Sequence, residues 1–418
     1  MKLLVIADDL TGALDTGVQF AKAGIIPRVI TDVRKGLPRS AETQVFVLNT
    51  ETRHLSAADA YQRVFDIVTS ALSAGFDHIY KKTDSALRGN IGSELSALME
   101  ASRETQLFFF PAYPKINRCT IGGVQYVDGI PVSDSVFGLD PFEPVRCSKI
   151  ADIVALQSDI PVESVPEGAL PSPPMGHTVI ETFDCSSTHS FELLARRVKP
   201  PMAAAKISAG CAGFAEFLPY IFDLTGKKDA FSLPQKDLLV CSGSLNPITI
   251  RQLDLAIHNG FGCLTIPNHD AWVSLGHPEF RREFVQTVLN MASEHPNLIL
   301  RVDKEAEECP DLPGNPACTF EQIGQQIAAN IGALLSDIVN TGLDRNLIIT
   351  GGDILQSFIS QVGCDEVIPL GEVESGIVLS ILVLKGRNIT IVSKSGGFGS
   401  KDIFPKIASY FQEDRVVS

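Results

Sequence analysis

Leu3-Leu4-Val5-Ile6-Ala7-Asp8-Asp9-Leu10-Thr11-Gly12-Ala13 runs from five apolar residues into two adjacent carboxylates. A short apolar run bounded by a polar turn suits a strand buried on both faces, as in a parallel sheet. The residues after the turn continue as an amphipathic, helix-like stretch to Ala23. A strand that ends in Asp-Asp and feeds a helix is the start of an α/β layer architecture.

The same alternation extends outward. Arg28–Thr31 and Gln44–Leu48 read as strands, and Ser56–Ser73 as a helix with Ser56 at its N-cap. His78–Lys81 reads as a strand, Ile91–Ala101 as a helix and Leu107–Phe110 as a fully apolar strand. The Pro- and Ser-rich stretch Pro161–Pro174 reads as a loop, and Val179–Thr182 and Ala203–Ser208 as short strands. The polar segment Leu224–Pro234 is the expected boundary, dividing the chain into domains 1–228 and 229–418. The pattern then restarts. Asp237–Cys241, Cys263–Ile266, Asn346–Thr350, Val378–Leu384 and Asn388–Ser393 are expected strands, with helices over Pro247–Asn259 and Phe320–Asn340. The expected fold is α/β in two domains, each with a largely parallel sheet flanked by helices.

Composition narrows the function. The chain has 418 residues, 35 Lys plus Arg and 49 Asp plus Glu, for a formal net charge of −14. Such a balance disfavours general attraction to nucleic acid or to an anionic membrane, so anions must be held by local clusters. Nine cysteines, without a C-x-x-C pair, fit reduced thiols in a cytoplasmic protein better than a disulfide or zinc framework. The longest apolar run, Gly376 to Leu384, is far short of the ~20 residues that span a bilayer. Neither G-x-x-x-x-G-K-[ST], nor G-x-S-x-G, nor H-E-x-x-H occurs, and the first strand lacks the G-x-G-x-x-G of a dinucleotide fold.

The chemistry-bearing residues follow the expected strands. In open α/β sheets, ligands bind outside the carboxyl ends of the strands. Asp8 and Asp9 stand at the first such end. One of them could hydrogen-bond a polyol or accept its proton, or could cap the following helix. Lys81-Lys82-Thr83-Asp84-Ser85 with Arg88-Gly89-Asn90 combines cations, a carboxylate and hydroxyls, a set suited to a small hydroxylated anion. Arg53 follows a third strand end and could grip a carboxylate bidentately. Pro111 to Gly123 reads as a loop of fixed shape, with Lys115 and Arg118 as further contacts. The second half has three Gly or Ser loops after strands: Ser242-Gly243-Ser244, Thr350-Gly351-Gly352-Asp353 and Ser393-Lys394-Ser395-Gly396-Gly397-Phe398-Gly399-Ser400-Lys401. Together they suit a nucleotide's phosphates, since glycines let backbone N–H groups approach closely.

Ala7 to Ala13, Lys81 to Ser85 with Arg88 to Asn90, Thr350 to Asp353 and Lys394 to Gly399, in this order, resemble the motifs of the four-carbon acid sugar kinases. The resemblance spans the whole chain. It implies an N-terminal sugar-acid domain, a C-terminal nucleotide-binding domain, and transfer of a phosphoryl group from ATP to a 4-hydroxyl with Mg²⁺. It also implies that Asp9, Arg53, Lys81, Lys82, Thr83 and Asp84 bind substrate. Arg53 and Lys82 would hold the carboxylate, while Asp9, with Asp84 second, would serve as base. Ser244, Thr350, Gly351, Gly352, Asp353, Gly396 and Gly397 would bind ATP, with Asp353 a metal or ribose contact. The Lys-Lys-Thr-Asp-Ser form is similar to the D-threonate and D-erythronate branch, with D-threonate the expected substrate; a D-erythronate or 3-oxo-tetronate kinase is the alternative, and a non-catalytic sugar-acid sensor the second. Partners are expected to be the sugar acid and ATP, with a homodimer left open.

Overall fold

A computed structural model of the chain describes residues 1–37, 42–140, 143–173, 176–226, 231–233, 235–243, 246–303, 320–384, 386–412 and 416–417. It divides into two compact units, Met1–Asp229 and Ala230–Ser418.

In the N-terminal unit the main sheet is wholly parallel among the described residues. Its order is Arg28–Ile30, Val45–Asn49, Leu3–Ala7, His78–Lys82, Ile207–Gly210, Gln106–Phe110, Val179–Phe183 and Val162–Val165. All five residues of Leu3–Ala7 are buried, as a central parallel strand requires. Helix Ala57–Ser73 starts where Ser56 accepts the Asp59 N–H at 3.2 Å. It buries Ala60, Val64, Val68 and Ala71, one stripe at helical spacing. Each buried Val contributes roughly 1.5–3 kcal/mol. The stripe packs into a core with Leu4, Ile6, Ile79, Leu95 and Leu98.

Three local expectations change. Within Pro161–Pro174, Val162–Val165 is a strand paired with Val179–Phe183. Two of its four residues are exposed, so it lacks an apolar signature. Ala203 and Ala204 end a helix, Thr188–Ala204, which contains Pro200 and Pro201, and the strand begins only at Ile207. The Pro111–Gly123 loop contains a hairpin, Arg118–Ile121 against Val124–Val127. Its two-residue turn, Gly122-Gly123, has φ of +60° and +71°. Positive φ at both central positions is what a tight hairpin turn demands and what glycine supplies.

In the C-terminal unit, Gly262–Ile266, Leu298–Val302, Leu238–Ser242, Asn346–Thr350 and Arg387–Lys394 run parallel, in that order. Ile377–Leu384 and then Glu366–Glu374 continue the sheet antiparallel. Glu366–Glu374 was not foreseen, because its three glutamates hide the strand pattern. Among the described residues no helix is long and apolar enough to cross a membrane.

Candidate functional site

In the N-terminal unit Ala7 is in register with Asn49 on one side and Lys82 on the other. The segments after these three strands therefore converge. Arg53 donates from Nε to Asp8 Oδ2 at 2.7 Å and from Nη1 to Asp9 Oδ2 at 2.8 Å. Lys82 Nζ lies 2.9 Å from Asp8 Oδ1 and 3.0 Å from Asp9 Oδ1. Two carboxylates that would repel each other are thus bridged twice. Asp9 also caps helix Leu10–Lys22, accepting the Gly12 N–H at 3.0 Å. The capping and ligand-facing readings of Asp9 are therefore compatible. A Cβ on Gly12 would fall 1.8 Å from Lys82 Nζ, so the ammonium needs a glycine there.

Asp84 sits across a turn from Arg88. Arg88 donates from Nε and Nη2 to the two Asp84 oxygens, both at 3.1 Å, and the Ala86 N–H donates at 3.1 Å. Thr83 Oγ1 is buried with no hydrogen-bond partner among the described residues.

Electrostatics follow from this packing. Burial pushes the Asp8 carboxyl up, but Arg53 and Lys82 outweigh it and hold the group well below the usual carboxylate range. Burial likewise opposes ionisation of Asp84, and Arg88 and Arg53 override it, so Asp84 also lies well below that range. Burial disfavours the Lys82 ammonium, while Asp8 and Asp9 more than compensate and raise it. All three groups are charged at neutral pH.

Lys81 does not join this cluster. Consecutive strand residues point to opposite faces. Lys81 is fully buried, 3.0 Å from Glu94 Oε2, and donates to the Lys82 carbonyl at 2.8 Å. Glu94 also accepts the Thr52 hydroxyl, so this pair sits beneath the Arg53 loop. Glu94 was missed in the sequence, though it shares one helical face with Ile91, Leu95 and Leu98. Lys115 lies apart, paired with Glu216 at 2.6 Å.

In the C-terminal unit Thr350 is in register with Ser242 and with Lys394. The loops after these strands therefore share one edge. Gly351, with φ of +108°, precedes helix Gly352–Val362, and Asp353 is exposed in its first turn. Thr350 Oγ1 is buried without a hydrogen-bond partner among the described residues.

The glycine loop is held by its carbonyls. Gln252 Nε2 lies 3.2, 2.8 and 3.0 Å from the carbonyls of Phe398, Gly399 and Ser400. Thr249 Oγ1 donates to the Gly396 carbonyl at 2.5 Å. Lys394 Nζ reaches Thr249 Oγ1 at 3.1 Å, the Ser395 carbonyl at 3.3 Å and the Gly396 carbonyl at 3.2 Å. Lys394 is 2% exposed, and burial pulls its ammonium down to about 8. Thr249 and Gln252, missed earlier, share a helical face with Leu253 and Ala256. Ser244 lies outside the described residues.

A strand-end cluster of charged groups in one unit and a strand-end glycine edge in the other mark a two-unit α/β protein. Family models agree in their own terms: one described as "Sugar-binding N-terminal domain" matches residues 3–216, and one described as "Nucleotide-binding C-terminal domain" matches 239–404. A D-threonate kinase of Salmonella typhimurium is 31% identical over 99% of both chains. A D-erythronate kinase of Heliobacterium modesticaldum is 27% identical over 88% of both, and a 3-oxo-tetronate kinase of Methylobacterium radiotolerans 24% identical over 96% of both. The chain belongs to the four-carbon acid sugar kinase family. Its fold is shared with a crystal structure of a Salmonella typhimurium LT2 protein, with a TM-score of 0.82, 19% identity, and 98% of this chain and 100% of that one covered. Haemophilus influenzae protein HI1011 matches with a TM-score of 0.72, 18% identity and the same coverage.

Proposed function

We propose that the chain is an ATP-dependent kinase that phosphorylates the 4-hydroxyl of a four-carbon sugar acid, with D-threonate as its substrate. One observation supports the reading: the chain has a strand-end cluster of charged side chains in its N-terminal unit and a strand-end glycine edge in its C-terminal unit, one suited to each proposed reactant. The D-threonate assignment draws on the 31% identical relative.

Asp9 is the proposed base. Of the three carboxylates its side chain is the most exposed, at 25%, against 3% for Asp8 and 10% for Asp84. Asp84 is committed to Arg88, which makes it the weaker candidate. The sequence-level assignment of Arg53 and Lys82 to the substrate carboxylate is narrowed, because both bind Asp8 and Asp9. Their proposed task is to orient Asp9, with Arg53 Nη2 also held 2.7 Å from Asp8 Oδ2. Thr83 supplies a hydroxyl.

ATP phosphates would rest on Gly351, Gly352, Gly396 and Gly397, beside Thr350 and the buried Lys394. Phosphoryl transfer depends chiefly on positioning and charge neutralisation. Mg²⁺ in such sites takes one or two carboxylates plus phosphate oxygens. Among the described residues no group of three His, Cys, Asp or Glu could hold an ion alone. Asp353 fits the joint arrangement, in which bound Mg²⁺ neutralises phosphate charge. The nine scattered cysteines, with no C-x-x-C pair, support a reducing, cytoplasmic setting.

An ADP-release assay over D-threonate, D-erythronate, L-threonate and 3-oxo-tetronates tests the reading. D-Threonate is expected to give the highest kcat/KM. A higher value on another acid moves the assignment within the family. Thermal stabilisation by the acids without turnover of any would favour a sensor.

A further inference from the structure

Arg53, Lys82 and Arg88 each lie within ion-pair distance of an aspartate, whereas Arg118 has no carboxylate partner among the described residues. Arg118 opens the strand Arg118–Ile121 and is half-buried. Its Nη1 donates to Ser85 Oγ, in the loop that carries Asp84. Its guanidinium lies 4.8 Å from the centre of the Phe137 ring, on which Arg88 also packs at 5.2 Å. Gln125 ties the two loops together, donating to the Ser85 carbonyl at 2.8 Å.

Three physical points follow. A guanidinium cannot shed its proton in a protein, so Arg118 stays charged. Of the groups that act on it, the Asp84 carboxylate is foremost but is held at both oxygens by Arg88, and the Cys211 thiol is pushed up to about 12 by burial and stays neutral. A partly desolvated cation whose facing carboxylate is committed to another arginine gains from a ligand that supplies an anion. Packing on Phe137 and the bond to Ser85 also fix the plane of the fork, and a fixed fork suits bidentate capture of a carboxylate.

We propose that Arg118 receives the carboxylate of the substrate acid and is thereby the residue that selects acids over neutral polyols. The proposal rests on the sugar-acid reading of this edge. It shifts the main carboxylate contact from Lys82 to a residue of the hairpin.

The test compares binding and turnover of D-threonate with those of its neutral primary amide. The unaltered chain is expected to bind the acid at least about tenfold more tightly than the amide. Arg118→Met is expected to weaken acid binding about 10- to 100-fold, mainly as a rise in KM, with less than about threefold change for the amide. Arg118→Lys should recover part of the loss. Equal losses on acid and amide would mean that Arg118 only holds the Ser85 loop, and would overturn the proposal. Equal affinity of the unaltered chain for both compounds would overturn it too, even if Arg118→Met failed to fold. Acid binding without phosphorylation would instead defeat the kinase reading and leave the Arg118 comparison measurable.

Discussion

At the carboxyl edge of the N-terminal unit, the groups available to a ligand are charged side chains that hold one another in place. At the corresponding edge of the C-terminal unit they are backbone N–H groups, hydroxyls and one buried lysine. Asp8, Asp9, Arg53 and Lys82 form a closed ionic lattice with fixed donors and acceptors. Such a lattice can read individual hydroxyls of a small molecule, because each position is set to within a hydrogen bond. At the glycine edge the carbonyls are anchored by Gln252, Thr249 and Lys394. That arrangement suits a polyphosphate, whose charge is spread over many oxygens.

The contrast can be broken most sharply at Asp9. Asp9→Asn is expected to lower kcat by about 10²- to 10⁴-fold while nucleotide affinity stays unchanged. Near-normal kcat would remove Asp9 as the base. Lys82→Met comes next. It leaves the buried Asp8 with one cation fewer, and the N-terminal unit should lose roughly 3–5 kcal/mol in chemical denaturation. A loss below about 1 kcal/mol would show that the lattice is slack.

The two units should also part company in acid. Burial holds the His78 imidazole down to about 4, against its ordinary 6.5. The folded N-terminal unit keeps His78 neutral where the unfolded chain protonates it. Stability is therefore level above pH 6.5 and falls as pH drops toward 4, by about 3 kcal/mol. His78→Gln should flatten that window in pH-dependent unfolding, and an unchanged slope would assign it elsewhere. The smallest effect is expected at the glycine edge. Lys394→Met should raise the KM for ATP about tenfold and leave that for the acid unchanged. A rise in both would mean that the two edges are not separate.

Much of this architecture was legible because it is local. An apolar pentad followed by Asp-Asp, and glycines after strands, are written in consecutive residues. Ser56 as an N-cap was legible for the same reason. Elements that failed to announce themselves lacked the usual contrast. Val162–Val165 is half exposed at a sheet edge, and Glu366–Glu374 carries three glutamates.

Within the candidate sites, residue type and strand-end position nominated Asp9, Arg53, Lys82 and Asp84, and the fold brings them together. Lys81 looked equivalent to Lys82, but strand alternation sends it to Glu94 in the interior.

Sequence by itself therefore determined the α/β alternation and which chemical groups stand at the ends of strands, because both depend on neighbours in the chain. Only tertiary structure decided which charges are already answered. Arg53, Lys82, Arg88 and Arg118 are alike as cations, and partners up to 74 positions away separate those ion-paired with an aspartate from Arg118, which has no carboxylate at ion-pair distance among the described residues. Pairing depends on distances across the sheet, which strand order and register set and which no single stretch of sequence contains.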